Sequence, residues 1–452
     1  MKKIVKKRVH FVGIGGIGMS ALARYYLAQN WAVSGSDLVS SPIIRDLAKV
    51  GIRAKIGHKM GNLPKNAHFI VFSGAVLRSN PEICAARRRG IPRKSYAEAL
   101  GEITQEHETI AVTGAHGKST TTSLLALSMI GAGLDPTVIV GTKLWEFGDS
   151  NFYFGKSSRL VIEADEYGGT FLHTSPTHAI VLNIDREHLD YYKSLARVKQ
   201  AFLEFIANIR PHGVLAINKD DEIIWSLRRR ILAISKRHDL ILCWYSLRDS
   251  NAGRVRNVLR ISGEHNVSNA LAVYTFLREL GVRAKDILSP LSKFQGSWRR
   301  MEYKGKLKAI SSKLNAEVYD DYAHHPTEIK ATLQAFQEKF PKKKLVCVYQ
   351  PHQAKRLRLL FQDFADAFVG ADVTVLLPVY RVAGRDKVLP KYSSRALTEE
   401  IVNRHSKSRV VYLGSMKDFR KTIEEVISEI GSPTVLIMMG AGSIFEYTKK
   451  LL

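Results

Sequence analysis

The sequence predicts an α/β protein of three consecutive units, and three observations carry that prediction. The chain has 452 residues, which at roughly 150 residues per domain suits about three domains. Short β-branched or aromatic runs alternate with amphipathic helical stretches along its length, the order expected of parallel sheets wrapped by helices. Twice, a strand runs through a glycine-rich turn into a helix. Charged residues make up 24% and apolar residues 45%, close to the globular average, which sets aside disordered, collagen-like and low-complexity classes. No short-period repeat is present.

In the first unit, residues 9–12 read as a strand, a glycine turn follows, and a helix is expected over about 19–29. Another strand begins near Trp31, an apolar run spans 68–73, and 95–100 is helix-like. The polar stretch 105–108 follows, and a boundary near 107 places the first domain at 1–107. The second domain, 108–294, opens with a strand at 109–112, turns through Gly114-Ala115-His116-Gly117, and continues as a helix over about 118–129, with strands at 160–163 and 179–183. The third, 295–452, has strands expected at 316–319, 344–349, 373–377, 409–413 and 434–439, with amphipathic helices between them.

Cys84, Cys243 and Cys347 are too far apart for a metal-ligand spacing or a disulfide framework, which suits a reducing cytoplasm. The start of the chain, with Lys2, Lys3, Lys6, Lys7 and Arg8 ahead of an apolar stretch reaching Ala21-Leu22-Ala23, mimics a signal peptide. Gly13, Gly15, Gly16 and Gly18 interrupt that stretch in a strand-turn-helix pattern, and no other segment is apolar for about 18 residues, so a soluble, unprocessed chain without membrane insertion is expected. Lys plus Arg exceed Asp plus Glu by 68 − 42 = +26, an excess that favours anionic partners. Clusters such as Arg87-Arg88-Arg89 and Arg228-Arg229-Arg230 lack interleaved aromatics, so no nucleic-acid partner is expected, and two anionic substrates do not account for so basic a chain.

Gly13-Ile14-Gly15-Gly16-Ile17-Gly18 fits G-x-G-x-x-G after a strand, and Asp37 follows 19 residues beyond the last glycine. This Rossmann-like context suits a nucleotide diphosphate, with Asp37 accepting from a ribose or neighbouring hydroxyl; a tight turn with close helix packing is the plainer alternative. Thr113-Gly114-Ala115-His116-Gly117-Lys118-Ser119-Thr120 is like a P-loop with two residues, not four, between its glycines. There Lys118 would neutralise β- and γ-phosphate charge and the Ser119 hydroxyl would ligate magnesium. Two nucleotide-type turns, one with a triphosphate signature, suggest ATP coupled to chemistry on a nucleotide-linked substrate.

The motifs, taken in order, resemble those of the ATP-dependent Mur ligases over essentially the whole chain. They are H-F-V-G-I-G-G-I-G-M-S at 10–20, S-D at 36–37, N-P-E-I at 80–83, V-T-G-A-H-G-K-S-T-T at 112–121, E-A-D-E at 163–166, F-L-H at 171–173, N-I-D-R-E-H-L-D at 183–190, G-E-H-N-V-S-N-A at 263–270, D-D-Y-A-H-H-P-T-E-I at 320–329, Q-P-H at 350–352 and G-A-G-S-I at 440–444. Within the family they are most like the members that add L-alanine to UDP-N-acetylmuramate in peptidoglycan precursor synthesis. The resemblance implies an N-terminal Rossmann-like domain for the UDP-sugar, a central P-loop ATPase-like domain for ATP, and a C-terminal Rossmann-like domain that closes over ATP and the amino acid.

The resemblance also implies roles for individual residues. Gly13, Gly15, Gly16, Gly18, Asp37, Ser73 and His173 would bind substrate, with Tyr322, His324 and Arg356 facing the reacting groups. Gly114, Ala115, His116, Gly117, Lys118, Ser119 and Thr120, with His265, Asn266, Asn269, Arg300, Asp320 and Asp321, would bind ATP. Ser119, Glu163 and His188 would hold magnesium, and Lys118, Glu163, His188 and Arg300 would form the catalytic set. Lys199 aligns with a lysine carbamylated in several relatives. Plainer readings stand beside these: Glu163 as a cap or salt bridge, His188 as structural, Lys199 as an unmodified surface lysine, Asn266 and Asn269 as caps or core hydrogen-bonders sharing one helical face, and Arg299 as a solvated neighbour of Arg300. Two departures from the family pattern are Glu187 in place of an aspartate and Gln353 in place of the first arginine of Q-P-H-R-x-x-R, which leaves Arg356 to hold the alanine carboxylate. The implied product is UDP-N-acetylmuramoyl-L-alanine, formed through an acyl phosphate. The rivals are a sister ligase adding a preformed tripeptide, an NAD-binding oxidoreductase and a nucleic-acid-binding ATPase.

Overall fold

The computed structural model describes residues 6–307, 315–380 and 388–452; Lys2 and Lys3 of the basic N-terminal run lie outside the described residues. Three mainly parallel sheets succeed one another along the chain, as the alternation of strands and helices predicts. The first has five parallel strands in the order Ala54–Ile56, Ala32–Asp37, Arg8–Val12, Phe69–Phe72, Arg93–Ser95. The chain leaves the central strand Arg8–Val12 in both directions, so the glycine turn that follows it opens at the switch point where ligands gather in such sheets.

The second sheet runs Ile241–Tyr245, Val214–Asn218, His178–Val181, Glu108–Thr113, Arg159–Glu163, Thr137–Leu144, Ser150–Tyr153, antiparallel only in its last hairpin. The third runs Glu302–Lys306, Ala316–Asp321, Thr434–Met439, Lys344–Tyr349, Val373–Leu376, Arg409–Tyr412, with only the first pair antiparallel. Strand Thr434–Met439 shows why its sequence is apolar throughout. Val435, Ile437 and Met439 join the core beneath helix Pro326–Lys339, while Leu436 and Met438 join the core beneath helix Phe419–Ile430. A strand buried on both faces has no polar alternation to show.

Seven strands go unannounced by the sequence: Ala54–Ile56, Arg93–Ser95, Ser150–Tyr153, Ile241–Tyr245 and Glu302–Lys306 at sheet edges, and Thr137–Leu144 and Val214–Asn218 inside the second sheet. An edge strand is covered on fewer sides and needs no apolar run. The polar stretch 105–108 is ordered. It is the last turn of helix Tyr96–Glu106 and the first residue of strand Glu108–Thr113, joined by His107 alone.

The first two sheets belong to one compact unit, comprising Met1–Asp185, Ala196–Leu259 and Ser268–Phe294; Arg186–Leu195, Arg260–Val267 and Gln295–Leu452 form a second. Inside the first unit, polar contacts fasten the first sheet's helices to the second sheet's hairpin. Asn151 donates through Nδ2 to the carbonyl of Ile17 (2.7 Å) and to Ser20 Oγ (2.9 Å), and Lys143 Nζ lies 2.7 Å from a carboxylate oxygen of Asp46 and of Asp149. Gly101 allows helix Tyr96–Glu106 to pass the backbone of His173, since a Cβ there would lie 2.4 Å from its carbonyl oxygen. No helix among the described residues is long and apolar enough to cross a membrane.

One buried carboxylate organises the first sheet's ligand edge. Glu82, within the N-P-E-I motif, accepts hydrogen bonds from Ser36 Oγ (2.7 Å), the Lys59 amide (3.1 Å) and Asn62 Nδ2 (3.0 Å), and lies 2.8 Å from His10 Nε2. Burial opposes its charge, yet the hydrogen bonds from His10, Ser36 and Asn62 outweigh that cost and bring its pKa down to about 2. Glu82→Gln should therefore cost about 3 kcal/mol in denaturant unfolding at neutral pH. Because the folded-state pKa is depressed, the difference from the wild type should be full above the ordinary value of 4.5 and shrink as the pH falls towards 2.

Candidate active site

Strand Glu108–Thr113 delivers the chain into Gly114, at φ +149°, and Gly117, at φ +83°, before helix Lys118–Gly131 begins. Gly117 has a double reason to be glycine: its φ is left-handed, and an added Cβ would lie 2.5 Å from Asn269 Oδ1. Asn183 braces the loop from the next strand's end. Its side chain accepts from the His116 amide (2.8 Å) and donates to the His116 carbonyl (3.0 Å), while its own carbonyl accepts from Ala115 (3.2 Å). The His116 ring lies 2.9 Å from Asp185. No side chain caps the helix start, so its first amides face the loop's concavity as an anion-binding end does.

Lys118 curls under this loop. Its Nζ donates to the carbonyls of Gly114 (2.7 Å) and Ala115 (3.2 Å) and to Glu166 Oε2 (2.8 Å), with Asp165 at 3.9 Å. Burial works against its charge, but the carboxylates of Glu166, Asp165 and Glu163 prevail and raise its pKa above the ordinary lysine value. Ser119 Oγ donates to Glu163 Oε1 (3.0 Å), and the Gly141 amide donates to Glu163 Oε2 (2.7 Å). A Cβ on Gly141 would lie 2.6 Å from that carboxylate. Burial pushes the Glu163 pKa up even against Lys118. Thus Lys118, Ser119, Glu163, His116, Gly117 and Asn269 assemble at one sheet edge.

At the first sheet's edge, the Gly13 and Ile14 amides donate to the Ser36 carbonyl, at 2.9 and 3.0 Å. Asp37 turns inward: Oδ2 accepts from the Gly15 amide (2.8 Å) and Oδ1 from Leu38 (2.7 Å). Its carboxylate braces the turn. Ser73 lies beside Gly13, where an added Cβ would come within 3.0 Å of Ser73 Cβ. Gly18 touches the ring of Tyr96, and Gly16 begins helix Ile17–Ala28 with no side-chain cap. His173 is exposed, and Lys199, on helix Leu195–Ala207, reaches Ser226 Oγ at 3.5 Å.

In the second compact unit, strand Ala316–Asp321 ends in Asp320 and Asp321, both buried. Asp321 accepts from the amides of Met301 (2.9 Å) and Ala323 (2.8 Å), and Asp320 from the hydroxyl of Thr448. Burial pushes Asp320 up to about 6 despite that bond and Arg299. Arg299 is not a solvated neighbour. It is 2% exposed, donates to the Gly440 carbonyl, and lies 4.9 Å from the Tyr322 ring and 4.6 Å from that of Phe445. Its φ is +56°, and Arg300 is the more open of the two, 5.3 Å from the Tyr322 ring and 3.6 Å from Glu328. Asn266 donates to the Ser262 carbonyl (2.6 Å) near the start of helix Glu264–Glu279, and His265 beside it is exposed.

Glu187 is the hidden centre of this second cluster. It is buried, with Oε2 3.4 Å from Arg356 Nη2 and Oε1 4.0 Å from His324 Nε2. Burial penalises its charge, but Arg356, His188, His325 and His324 together hold it well below the usual carboxylate range. His352, 6.5 Å from His324 between ring centres, is pushed down to about 3 by burial and by His324, Arg356 and Arg299. A cleft here is lined by Glu187, His188, Gln353, Lys355 and Arg356, and Gln353 opens helix Ala354–Leu359 at φ +68°, a conformation costly for a residue with a side chain. Sequence reasoning assigned no role to Gly141, Asn183, Asp185, Glu166, Glu187 or Glu328. Most sit inside quoted motifs, but their partners come from other strands.

Three family models cover most of the chain: "Mur ligase family, catalytic domain" over residues 8–108, "Mur ligase middle domain" over 112–277 and "Mur ligase, glutamate ligase domain" over 299–442. The chain is 37% identical over 465 residues to the UDP-N-acetylmuramate–L-alanine ligase of Desulfatibacillum aliphaticivorans, covering 99% of this chain and 98% of that one. Its namesake from Aquifex aeolicus is also 37% identical, over 468 residues, with 99% and 97% covered. Among solved structures, the UDP-N-acetylmuramate-alanine ligase of Thermotoga maritima superposes with a TM-score of 0.76 at 25% identity, covering 98% of both chains. A murein peptide ligase from Psychrobacter arcticus shares the fold at a TM-score of 0.69 and 22% identity, again over 98% of both chains.

The loop geometry makes Gly117→Ala a sharp test. A methyl aimed at Asn269, on a left-handed backbone that costs alanine about 1 kcal/mol, should deform the loop. Titration with a fluorescent nucleoside triphosphate should show binding about tenfold weaker, with far-ultraviolet circular dichroism unchanged.

Proposed function

The chain belongs to the Mur ligase family, and on that premise we propose that it joins L-alanine to UDP-N-acetylmuramate with cleavage of ATP, in peptidoglycan precursor synthesis in the cytoplasm. The observation that carries this reading is the loop in which Lys118 lies between phosphate-cradling glycines and the Glu163–Ser119 pair, in a chain alike over its full length to ligases of that name. We divide the labour as 1–107 for the UDP-sugar, 108–294 for ATP and 295–452 for the amino acid.

In this mechanism a muramoyl carboxylate oxygen attacks the γ-phosphorus in line, the bond to the β-phosphate oxygen breaks, and ADP departs, leaving an acyl phosphate. The neutral amine of L-alanine then attacks the acyl carbon; the tetrahedral intermediate loses a proton from nitrogen and expels phosphate with the C–O electron pair. Lys118 exchanges its loop carbonyls for phosphate oxygens and stabilises the charge that builds there. The loop amides orient the triphosphate, and Arg300, the more open of the arginine pair, offers a second cation.

Ser119 and Glu163 fit a magnesium ion. They present hard oxygen donors 3.0 Å apart, and Glu163 is a carboxylate whose burial leaves its charge under-compensated. Bound there, magnesium would screen phosphate charge. The roles of His188 as a further ligand and of Lys199 as a carbamylated one rest on the resemblance alone. For the amino acid, the Glu187–Arg356 pair supplies both signs of charge that a zwitterion needs, and Gln353 beside it is a neutral donor.

The decisive experiment is phosphate release from ATP and magnesium with UDP-N-acetylmuramate, run against each amino acid and against the tripeptide L-alanyl-γ-D-glutamyl-meso-diaminopimelate. Activity confined to L-alanine is expected, and activity with the tripeptide alone would overturn the assignment. Lys118→Ala should abolish release while leaving UDP-N-acetylmuramate binding by calorimetry intact. Arg356→Ala, which also leaves Glu187 without its guanidinium, should raise the KM for alanine about tenfold or more, the worth of one charge-assisted hydrogen bond, and move the KM for ATP far less. Gln353→Arg should be tolerated.

A further inference from the structure

Tyr96 is placed to do more than pack. It is the first residue of helix Tyr96–Glu106, and a complete capping box sets that start: the Ser95 amide donates to Glu98 Oε2 (2.7 Å) and the Glu98 amide to Ser95 Oγ (3.2 Å). So anchored, the phenol reaches the last glycine of the fingerprint. A Cβ on Gly18 would lie 2.8 Å from both Cζ and the hydroxyl oxygen of Tyr96, so only a glycine there lets the hydroxyl rest on the first turn of helix Ile17–Ala28. That turn carries no side-chain cap, and its amides favour an anion.

Burial, with the carboxylates of Asp165 and Glu163, raises the Tyr96 pKa above that of a free tyrosine. The hydroxyl stays protonated and can donate. Among the described residues it makes no hydrogen bond to the protein, and the side chain is only half-buried, so the donor is both unused and reachable. A neutral donor resting on that turn can satisfy an anion seated there at little desolvation cost.

Resting on the ligase reading above, we propose that the Tyr96 hydroxyl is a positioning group for the nucleotide-sugar, donating a hydrogen bond to its diphosphate as that lies over Gly16 to Gly18. The contact orients the half of the substrate that must extend towards Lys118, and it makes the absence of a side chain at Gly18 a matter of substrate binding as well as packing.

Tyr96→Phe removes only the oxygen. A neutral hydrogen bond worth about 1 to 1.5 kcal/mol predicts a KM for UDP-N-acetylmuramate raised about 5- to 12-fold, with kcat, the KM for ATP and the melting temperature unchanged. UDP as a competitive inhibitor should weaken by the same factor. Gly18→Ala, by pushing the phenol aside, should raise the same KM, and adding Tyr96→Phe to it should bring little further loss. A Tyr96→Phe enzyme within twofold of wild type in this KM overturns the inference and leaves the ligase reading intact. A raised KM with unchanged UDP inhibition overturns the diphosphate contact, and a wild type that neither binds nor turns over UDP-N-acetylmuramate overturns both readings.

Discussion

The ammonium group of Lys118, held by two loop carbonyls and the Glu166 carboxylate, is the interaction to which the rest of the first compact unit is fitted. A buried cation is tolerable only where carboxylates surround it, and here Glu163, Asp165 and Glu166 arrive together from the end of strand Arg159–Glu163. That strand is parallel to Glu108–Thr113 and its direct neighbour. Sheet register thus brings the lysine of one strand's turn to the acids of the next. The loop needs its glycines because Asn183 and Asn269 press on it from either side.

In the same unit a single strand ties the first glycine turn to the second glycine loop. Thr137–Leu144 gives an amide to Glu163 at Gly141 and, two residues on, an ammonium to Asp46 at Lys143. Its hairpin partner contributes Asn151, which holds the carbonyl of Ile17 at the start of the glycine-turn helix. With Glu82 bracing the turn's neighbours, the first glycine turn is built from groups that are already hydrogen-bonded, so little ordering cost would remain for an anion to bind the proposed site there.

In the second unit the two departures from the family pattern sit beside one another. Glu187, one methylene longer than the usual aspartate, reaches Arg356, while Gln353 begins that arginine's helix in a left-handed conformation. Exchanging an arginine for glutamine removes a positive charge from a cleft that also holds Arg186, Lys355 and Arg356. With those three cations still lining the cleft, the loss of one more is electrostatically inexpensive.

Much of this was legible from residue order. The glycine turns, the G-K-S that closes the second, and strands such as Lys344–Tyr349 and Thr434–Met439 announce themselves because backbone freedom and two-sided burial leave local marks in composition. Family membership followed from the same local motifs. What residue order did not contain was partnership. That Asp37 would spend its carboxylate on the Gly15 amide, that Arg299 would be the buried arginine and Arg300 the open one, that Gly141 would hold Glu163 and that Tyr96 would lie on Gly18 all depend on which strands become neighbours and in what register. Most of the unannounced strands are sheet edges, and being an edge is a property of the sheet and not of the segment; Thr137–Leu144 and Val214–Asn218, inside the second sheet, also went unannounced. Hydrogen bonds between residues tens of positions apart exist only once long loops have closed, and no local periodicity encodes which ends will meet.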